Sequence, residues 1–239
     1  MKIAIVGNGK IGRAIHEALR RVDPQQRVSL LGRGDSRDAL LDAESILLCV
    51  KPQQVQGALE TIAPKLRTGA LLVSVAAKTT LASLRAALPP TIGVVRAMPN
   101  LPVGELAGMT ALASESAAED LERSEAIFGA MGRTVRIEER LMDAATAMNG
   151  CGPAYLYLIV EAWIDAGIKL GFSYETARML VAQTMLGAAT SVLASEEHPA
   201  ALKTAVTTPA GCTIEGLMQL EDGRLRSTIV RAVLAAAGA

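Results

Sequence analysis

Residues 7–12 read Gly7-Asn8-Gly9-Lys10-Ile11-Gly12, a G-x-G-x-x-G spacing. The chemistry it suits is phosphate binding. Gly7 permits a tight turn, Gly9 lets the backbone approach a pyrophosphate, and Gly12 lets a helix pack closely on a strand. The N–H groups and positive dipole end of a following helix then face the phosphates. The glycines alone are a weak signal, but their context is stronger. The apolar, β-branched run Lys2–Val6 reads as a buried strand, and Arg13–Arg20 is compatible with a helix. Strand, turn and helix in that order point to a dinucleotide site at Gly7, Asn8, Gly9, Lys10, Ile11 and Gly12. The alternative is a Gly-rich turn that binds nothing.

A second candidate follows Arg27–Leu31, which reads as the second strand. NAD-selective sites place an acidic residue at the end of this strand to hold the ribose 2′-OH. Here the first charged residue is Arg33, with Arg37 one helical turn later. Cations there suit a 2′-phosphate, so NADPH is expected in preference to NADH. Asp35 is close enough that a small shift of register brings it to the ribose instead. A solvated loop with ordinary charges is the plain alternative.

Val50, Lys51 and Pro52 close the third strand, and Ala76 and Ala77 follow the fourth. Open α/β sheets bind ligands at such carboxyl ends. The small alanines let a cofactor lie against backbone, and Lys51 is placed to face phosphate or substrate. Much later, Val206–Thr213 leads through Gly211 and small hydroxyl residues into a helix with Thr213 as its expected N-cap. A helix start of this kind holds an anion on backbone N–H groups. A substrate carboxylate would need no arginine there. A capped helix with no ligand is the other reading of the same residues.

Positioning these groups requires an α/β framework. Strands are expected at Lys2–Val6, Arg27–Leu31, Ser45–Val50, Ala70–Val75 and Ile92–Ala97, with helical patterns at Gln53–Ile62 and Leu81–Leu88. Continuously apolar strands alternating with helices imply a parallel sheet covered on both faces. A shorter pair, Met109–Leu112 and Thr134–Ile137, brackets the helix Ala117–Met131 and completes the sheet. From Glu138 onward strands give way to helical patterns at Glu139–Met148, Ala154–Leu170, Tyr174–Leu193, Pro199–Val206, Thr213–Leu220 and Leu225–Ala237. Ser173 is placed as an N-cap and Gly171 as a C-cap. The fold class expected is α/β: an N-terminal Rossmann domain over 1–138, with a doubly wound parallel sheet, followed by an all-α dimerisation domain over 139–239. The stretch Tyr174–Leu193 is apolar around much of its circumference, and such a helix must be buried. A half-chain of this size has few places to bury it, so a partner subunit is expected.

Half of the 239 residues are apolar, aromatics are 3%, and 24 basic residues balance 24 acidic ones. No bulk charge points to nucleic acid or an anionic membrane as partner. Cys49, Cys151 and Cys212 are far apart and match neither a zinc spacing nor a disulfide framework. A reducing cytoplasm is the expected location and no metal site is expected. The chain begins directly with its first strand, so no signal peptide is expected. No uninterrupted apolar run reaches bilayer length.

Five motifs then carry a resemblance. They are Val50-Lys-Pro-Gln53, Arg96-Ala-Met-Pro-Asn100, Gly150-Cys-Gly-Pro-Ala154, Asp165-Ala-Gly-Ile-Lys-Leu-Gly171 and Pro209-Ala-Gly-Cys-Thr-Ile214. In order and spacing the chain resembles the Δ1-pyrroline-5-carboxylate reductase family along essentially its whole length. The chain departs from the family's usual pattern at Lys78 (usually Gly), Leu101 (usually Thr), Asn149 and Cys151 (usually Ser), and Ala210 (usually Gly). The resemblance implies a Rossmann domain, a helical domain interlocked with a second subunit, active sites at that interface, and often higher oligomers of dimers.

It also implies reduction of a cyclic imine acid to L-proline by hydride from NAD(P)H. The cofactor set becomes Gly7–Gly12, Arg33, Val50, Lys51, Pro52, Ala76, Ala77, Met98 and Asn100. The substrate set becomes Asn100, Gly211, Cys212 and Thr213, with Thr213 as the catalytic candidate that bonds substrate and relays a proton. A protonated imine is already a good hydride acceptor, so no strong general acid is required. Reduction of another cyclic imine acid, or a non-catalytic NADP-binding regulatory role, stands as the alternative.

Overall fold

The computed structural model describes residues 1–238 and divides into two compact units, Met1–Pro153 and the residues from Ala154 onward. In the first unit, strands β1 (Lys2–Val6), β2 (Arg27–Leu31), β3 (Ser45–Leu48), β4 (Leu71–Ser74), β5 (Gly93–Pro99), β6 (Gly108–Ala113) and β7 (Gly132–Arg136) form one sheet in the order β2-β1-β3-β4-β5-β6-β7. Helices α1 (Lys10–Val22), α2 (Val55–Ile62), α3 (Leu81–Ala86) and α4 (Ala118–Gly129) cover it. Successive side chains of β1 go to opposite faces. Ala4 and Val6 join Val55, Leu59 and Leu84 of α2 and α3, while Ile3 and Ile5 join Ile15, Leu19, Ile127 and Phe128 of α1 and α4. Both faces are therefore buried, which explains why these strands read as continuous apolar runs.

The first five strands are parallel, as expected, but β6 pairs with β5 antiparallel and β7 follows β6 in parallel. The purely parallel sheet is thus corrected at its far edge. The reason is the length of the connection. Only residues 100–107 separate β5 from β6, and a parallel return needs a crossover of about a dozen residues or more.

Residues 139–150 pack on the sheet rather than apart from it. A 3₁₀ turn (Glu139–Leu141), the short helix α5 (Met142–Ala145) and a π-helical turn (Thr146–Gly150) replace the single helix expected there. Met142 is buried against Met98, Ala111 and Ala113 of β5 and β6. Hence the compact units part at Pro153, downstream of residue 138, where the strand patterns give way to helical ones.

The second unit is helical: α6 (Gly152–Lys169), α7 (Tyr174–Ala194), α8 (Pro199–Ala205), α9 (Cys212–Asp222) and α10 (Leu225–Ala237). The cap of α7 is Ser173, whose Oγ accepts the Thr176 N–H at 3.2 Å. Gly171, at φ 97°, reverses the chain after α6 as a C-cap does. Helices α6 and α7 bury Ile164, Ala177 and Val181 between them. Yet most of α7's apolar surface is open, with Met179 66%, Leu186 60% and Leu193 61% exposed. By length and composition alone α7 is apolar enough to cross a membrane.

Candidate functional site

A cleft of about 620 Å³ opens at the carboxyl ends of β1, β2 and β3. The chain leaves β1 toward β2 and returns past it to β3, so this is the switch point where a doubly wound sheet leaves a crevice. Gly7, Asn8 and Gly9 line it from β1, Gly32, Arg33 and Arg37 from β2, and Val50 and Lys51 from β3.

Each glycine of the turn has a separate physical cause. Gly7 has φ 115°, a left-handed value, and its N–H donates to Leu31 O at 2.8 Å. A Cβ on Gly7 would collide with the Cys49 carbonyl, and one on Gly12 with the Gly7 carbonyl. Both positions therefore need glycine for packing. Gly9 differs, because a Cβ there meets nothing within 4 Å. It is the N-cap of α1, without a side-chain cap and with no acidic residue in the first turn. The open face of Gly9 and the uncapped N–H groups of Lys10, Ile11 and Gly12 form a cradle that fits a pyrophosphate.

At the β2 corner Asp35 is exposed and bends back onto its own loop. Its Oδ2 accepts the Gly32 N–H at 2.6 Å, while Arg37 donates to Gly32 O at 3.0 Å. Arg33 is exposed at the cleft and makes no side-chain hydrogen bond or ion pair among the described residues. That leaves the Arg33 guanidinium uncommitted at the cleft. Lys51 is likewise exposed at the cleft.

Farther along the carboxyl edge, Ala76 is buried and Ala77 half-buried just beyond β4. Met98 is buried in β5. Asn100 follows it with both ends of its amide engaged. Oδ1 accepts the Met109 N–H at 2.9 Å and Nδ2 donates to Asn149 Oδ1 at 3.0 Å. Asn149 in turn donates to Met98 O at 2.7 Å and Met109 O at 3.0 Å. The two amides lock the end of β5 to β6 and to the π-helical turn. Asn149, outside the sequence-derived site, is thus its main organiser at this end. Gln53, the last residue of the Val50–Gln53 motif, lines the cleft, and so do Gln54, Gly57, Ala58 and Thr61, which no sequence motif marks. Their signal was their place directly after the carboxyl end of β3.

Thr213, Gly211 and Cys212 belong to the second unit. Gly211, not Thr213, is the N-cap of α9, and Thr213 is its second residue. The expected cap is corrected because Gly211 is extended while Cys212 already begins the helix. Ala210 before it holds a left-handed φ of 58°. Thr213 is half-buried, Cys212 is exposed, and no side chain caps the helix start.

A cavity of about 530 Å³ lies at the opposite edge of the sheet, near the amino ends of β4 and β5. Its arginines are committed to main chain. Arg85 donates to Ile92 O at 2.6 Å and Arg123 to Glu44 O at 3.0 Å.

With this geometry in view, comparison with known proteins is direct. The pyrroline-5-carboxylate reductase dimerisation family matches residues 139–239. A pyrroline-5-carboxylate reductase of Arabidopsis thaliana is 37% identical over 230 residues, covering 95% of this chain and 83% of that one. The chain belongs to the pyrroline-5-carboxylate reductase family. A Synechocystis reductase of the same name is 41% identical over 204 residues, 84% of this chain and 76% of that one. The crystal structure of Plasmodium falciparum pyrroline carboxylate reductase with NADP bound superposes with a TM-score of 0.89 at 29% identity, over 100% of this chain and 96% of that one. The resemblance read from the five motifs holds. Two departures from the family pattern now acquire a conformation. Lys78 and Ala210 stand where the family usually has glycine, and both hold left-handed φ values, 55° and 58°.

Proposed function

We propose that this chain reduces Δ1-pyrroline-5-carboxylate to L-proline with NADPH, the closing step of proline synthesis. The observation that carries the reading is the cradle at Gly9 beside the uncommitted Arg33, in a chain of this family. When bound, the dihydronicotinamide supplies the hydride. The N–H groups of Lys10, Ile11 and Gly12 hold the pyrophosphate, and Arg33 holds the 2′-phosphate. Val50, Lys51, Pro52, Ala76, Ala77 and Met98 line the path of the cofactor along the carboxyl edge. Asn100 serves chiefly by fixing the end of β5, since its amide is already bonded.

The start of α9 supplies the Cys212 N–H for the substrate carboxylate, and the Thr213 hydroxyl bonds the substrate. Gly211, whose own N–H donates to Thr208 O at 3.1 Å, lets the carboxylate approach without a side chain in the way. The imine accepts hydride in its protonated form, so positioning is the main contribution of the protein. The exposed apolar face of α7 supports a homodimer, with assembly of dimers beyond that. Within that reading Rossmann and dimerisation regions meet near residue 139, where the family match begins.

Following NADPH oxidation at 340 nm with Δ1-pyrroline-5-carboxylate tests the reading. Turnover coupled to proline formation supports it. Turnover only with other imines moves the activity to a different cyclic imine acid, and binding of NADPH without turnover points to a regulatory protein.

A further inference from the structure

Arg96 lies in β5, is 4% exposed, and carries a cation into the sheet. Its NH1 donates to Glu139 Oε1 at 2.9 Å. The same oxygen accepts the Leu81 N–H, the first of α3, at 2.6 Å. The Nε of Arg96 is buried with no partner. A buried cation held on one side only costs stability. Such a cost is expected where an element serves a site.

The contacts of Glu139 show which element that is. Between β4 and α3 runs the loop 75–80, which carries Ala76 and Ala77. Its upstream end is pinned by the Val75 N–H to Leu48 O at 3.1 Å. Inside it, Lys78 holds φ 55° and the buried Thr79 donates to Ala77 O at 3.3 Å. A non-glycine residue stays left-handed only where its surroundings over-determine the backbone. Glu139 provides the downstream anchor, and Arg96 fixes Glu139.

We propose that Glu139, held by Arg96, is a positioning residue that sets the 75–80 loop against the nicotinamide end of the cofactor. This rests on the reductase reading above. The phosphate contacts lie on other loops, at β1 and β2. Removing the anchor therefore misplaces the reacting end while leaving cofactor affinity largely intact. A misplacement of about 1 Å costs on the order of a hundredfold in rate.

The test compares the native chain with Glu139→Ala and the milder Glu139→Gln, which keeps an acceptor for the Leu81 N–H. Four readouts are taken: melting temperature, NADPH dissociation constant by fluorescence, kcat with the imine, and hydrogen exchange of the 76–81 amides with NADPH bound. Expected are a kcat reduced at least tenfold in Glu139→Ala, an NADPH dissociation constant within about threefold, and lost protection of those amides. Glu139→Gln should lie between this variant and the native chain. A lower melting temperature with unchanged kcat in the folded variants would overturn the proposal and leave a structural pin. If the native chain lacks imine turnover, the reductase reading fails instead. The exchange arm still decides, since unchanged protection in Glu139→Ala overturns the positioning role.

Discussion

The Asp35 carboxylate accepts the Gly32 N–H at 2.6 Å, which turns this acid into its own loop and away from the role an acid at the end of β2 plays in NAD sites. Arg37 donates to the carbonyl of the same residue at 3.0 Å. The cation left over is Arg33, exposed at the cleft. This difference between Asp35 and Arg33 supports the assignment of Arg33 to the 2′-phosphate.

Arg33→Ala is expected to raise KM for NADPH about ten- to a hundredfold and leave KM for NADH nearly unchanged. The estimate takes about 1.5–3 kcal/mol for a hydrogen bond to a charged group and tenfold per 1.36 kcal/mol. Steady-state kinetics with both cofactors measures it. Equal losses would remove Arg33 from the 2′-phosphate.

Gly9 and Gly12 should fail differently. Gly12→Ala places a methyl against the Gly7 carbonyl and should cost stability, about 1–3 kcal/mol as for overpacking generally. Gly9→Ala meets open space and keeps an accessible backbone, φ −70°. It should fold as well as the native chain yet lose NADPH affinity by tenfold or more, because the methyl fills the cradle. Urea denaturation and NADPH titration on both variants separate the two roles. Normal NADPH binding by Gly9→Ala would remove the cradle.

The parts legible in the sequence were those with local causes. The first strand, the turn and α1 follow from an apolar run, three glycines and a helical pattern within twenty-two residues. The direction of β6 was not legible from its own residues, since a short apolar strand reads alike both ways. The eight-residue connection before it held the information. The start of α9 was misplaced because a glycine N-cap has no side chain to announce itself. Arg96 and Glu139 stand 43 residues apart, and nothing local couples them. Asn149 was visible only as a departure from a family pattern. Its bonds to β5 and β6 are what give it meaning.

Cys49 carries the pH prediction. Burial pushes its thiol from 9.0 up to about 12. Between those values the unfolded chain releases this proton and the folded chain keeps it. Its contribution to stability is therefore complete below about pH 9 and is lost as pH rises toward 12. Chemical denaturation across that range should show a decline that is shallower in Cys49→Ala. At neutral pH a thiol-alkylating reagent should label the exposed Cys212 and spare Cys49 while the protein stays folded. Labelling of both at equal rates, read by peptide mass, would contradict the burial argument.

Thr213→Ala is a cleaner experiment than it looked from sequence. Gly211 is the cap, so the substitution removes no capping bond and should leave the melting temperature nearly unchanged. If the hydroxyl bonds substrate, kcat/KM for the imine should fall about three- to tenfold, from about 0.5–1.5 kcal/mol for one hydrogen bond. NADPH binding should not change, and Thr213→Ser should keep most of the activity. An unaltered kcat/KM in the alanine variant would end its catalytic candidacy.

The central claim is hydride transfer from NADPH to the imine carbon of Δ1-pyrroline-5-carboxylate. Running the reaction with NADPH deuterated at the transferable position of nicotinamide C4, and analysing the product by mass spectrometry and NMR, tests it most directly. The account predicts L-proline carrying a single deuterium on the ring carbon beside nitrogen that bears no carboxylate. Proline without deuterium, or no proline despite tight NADPH binding, would contradict it.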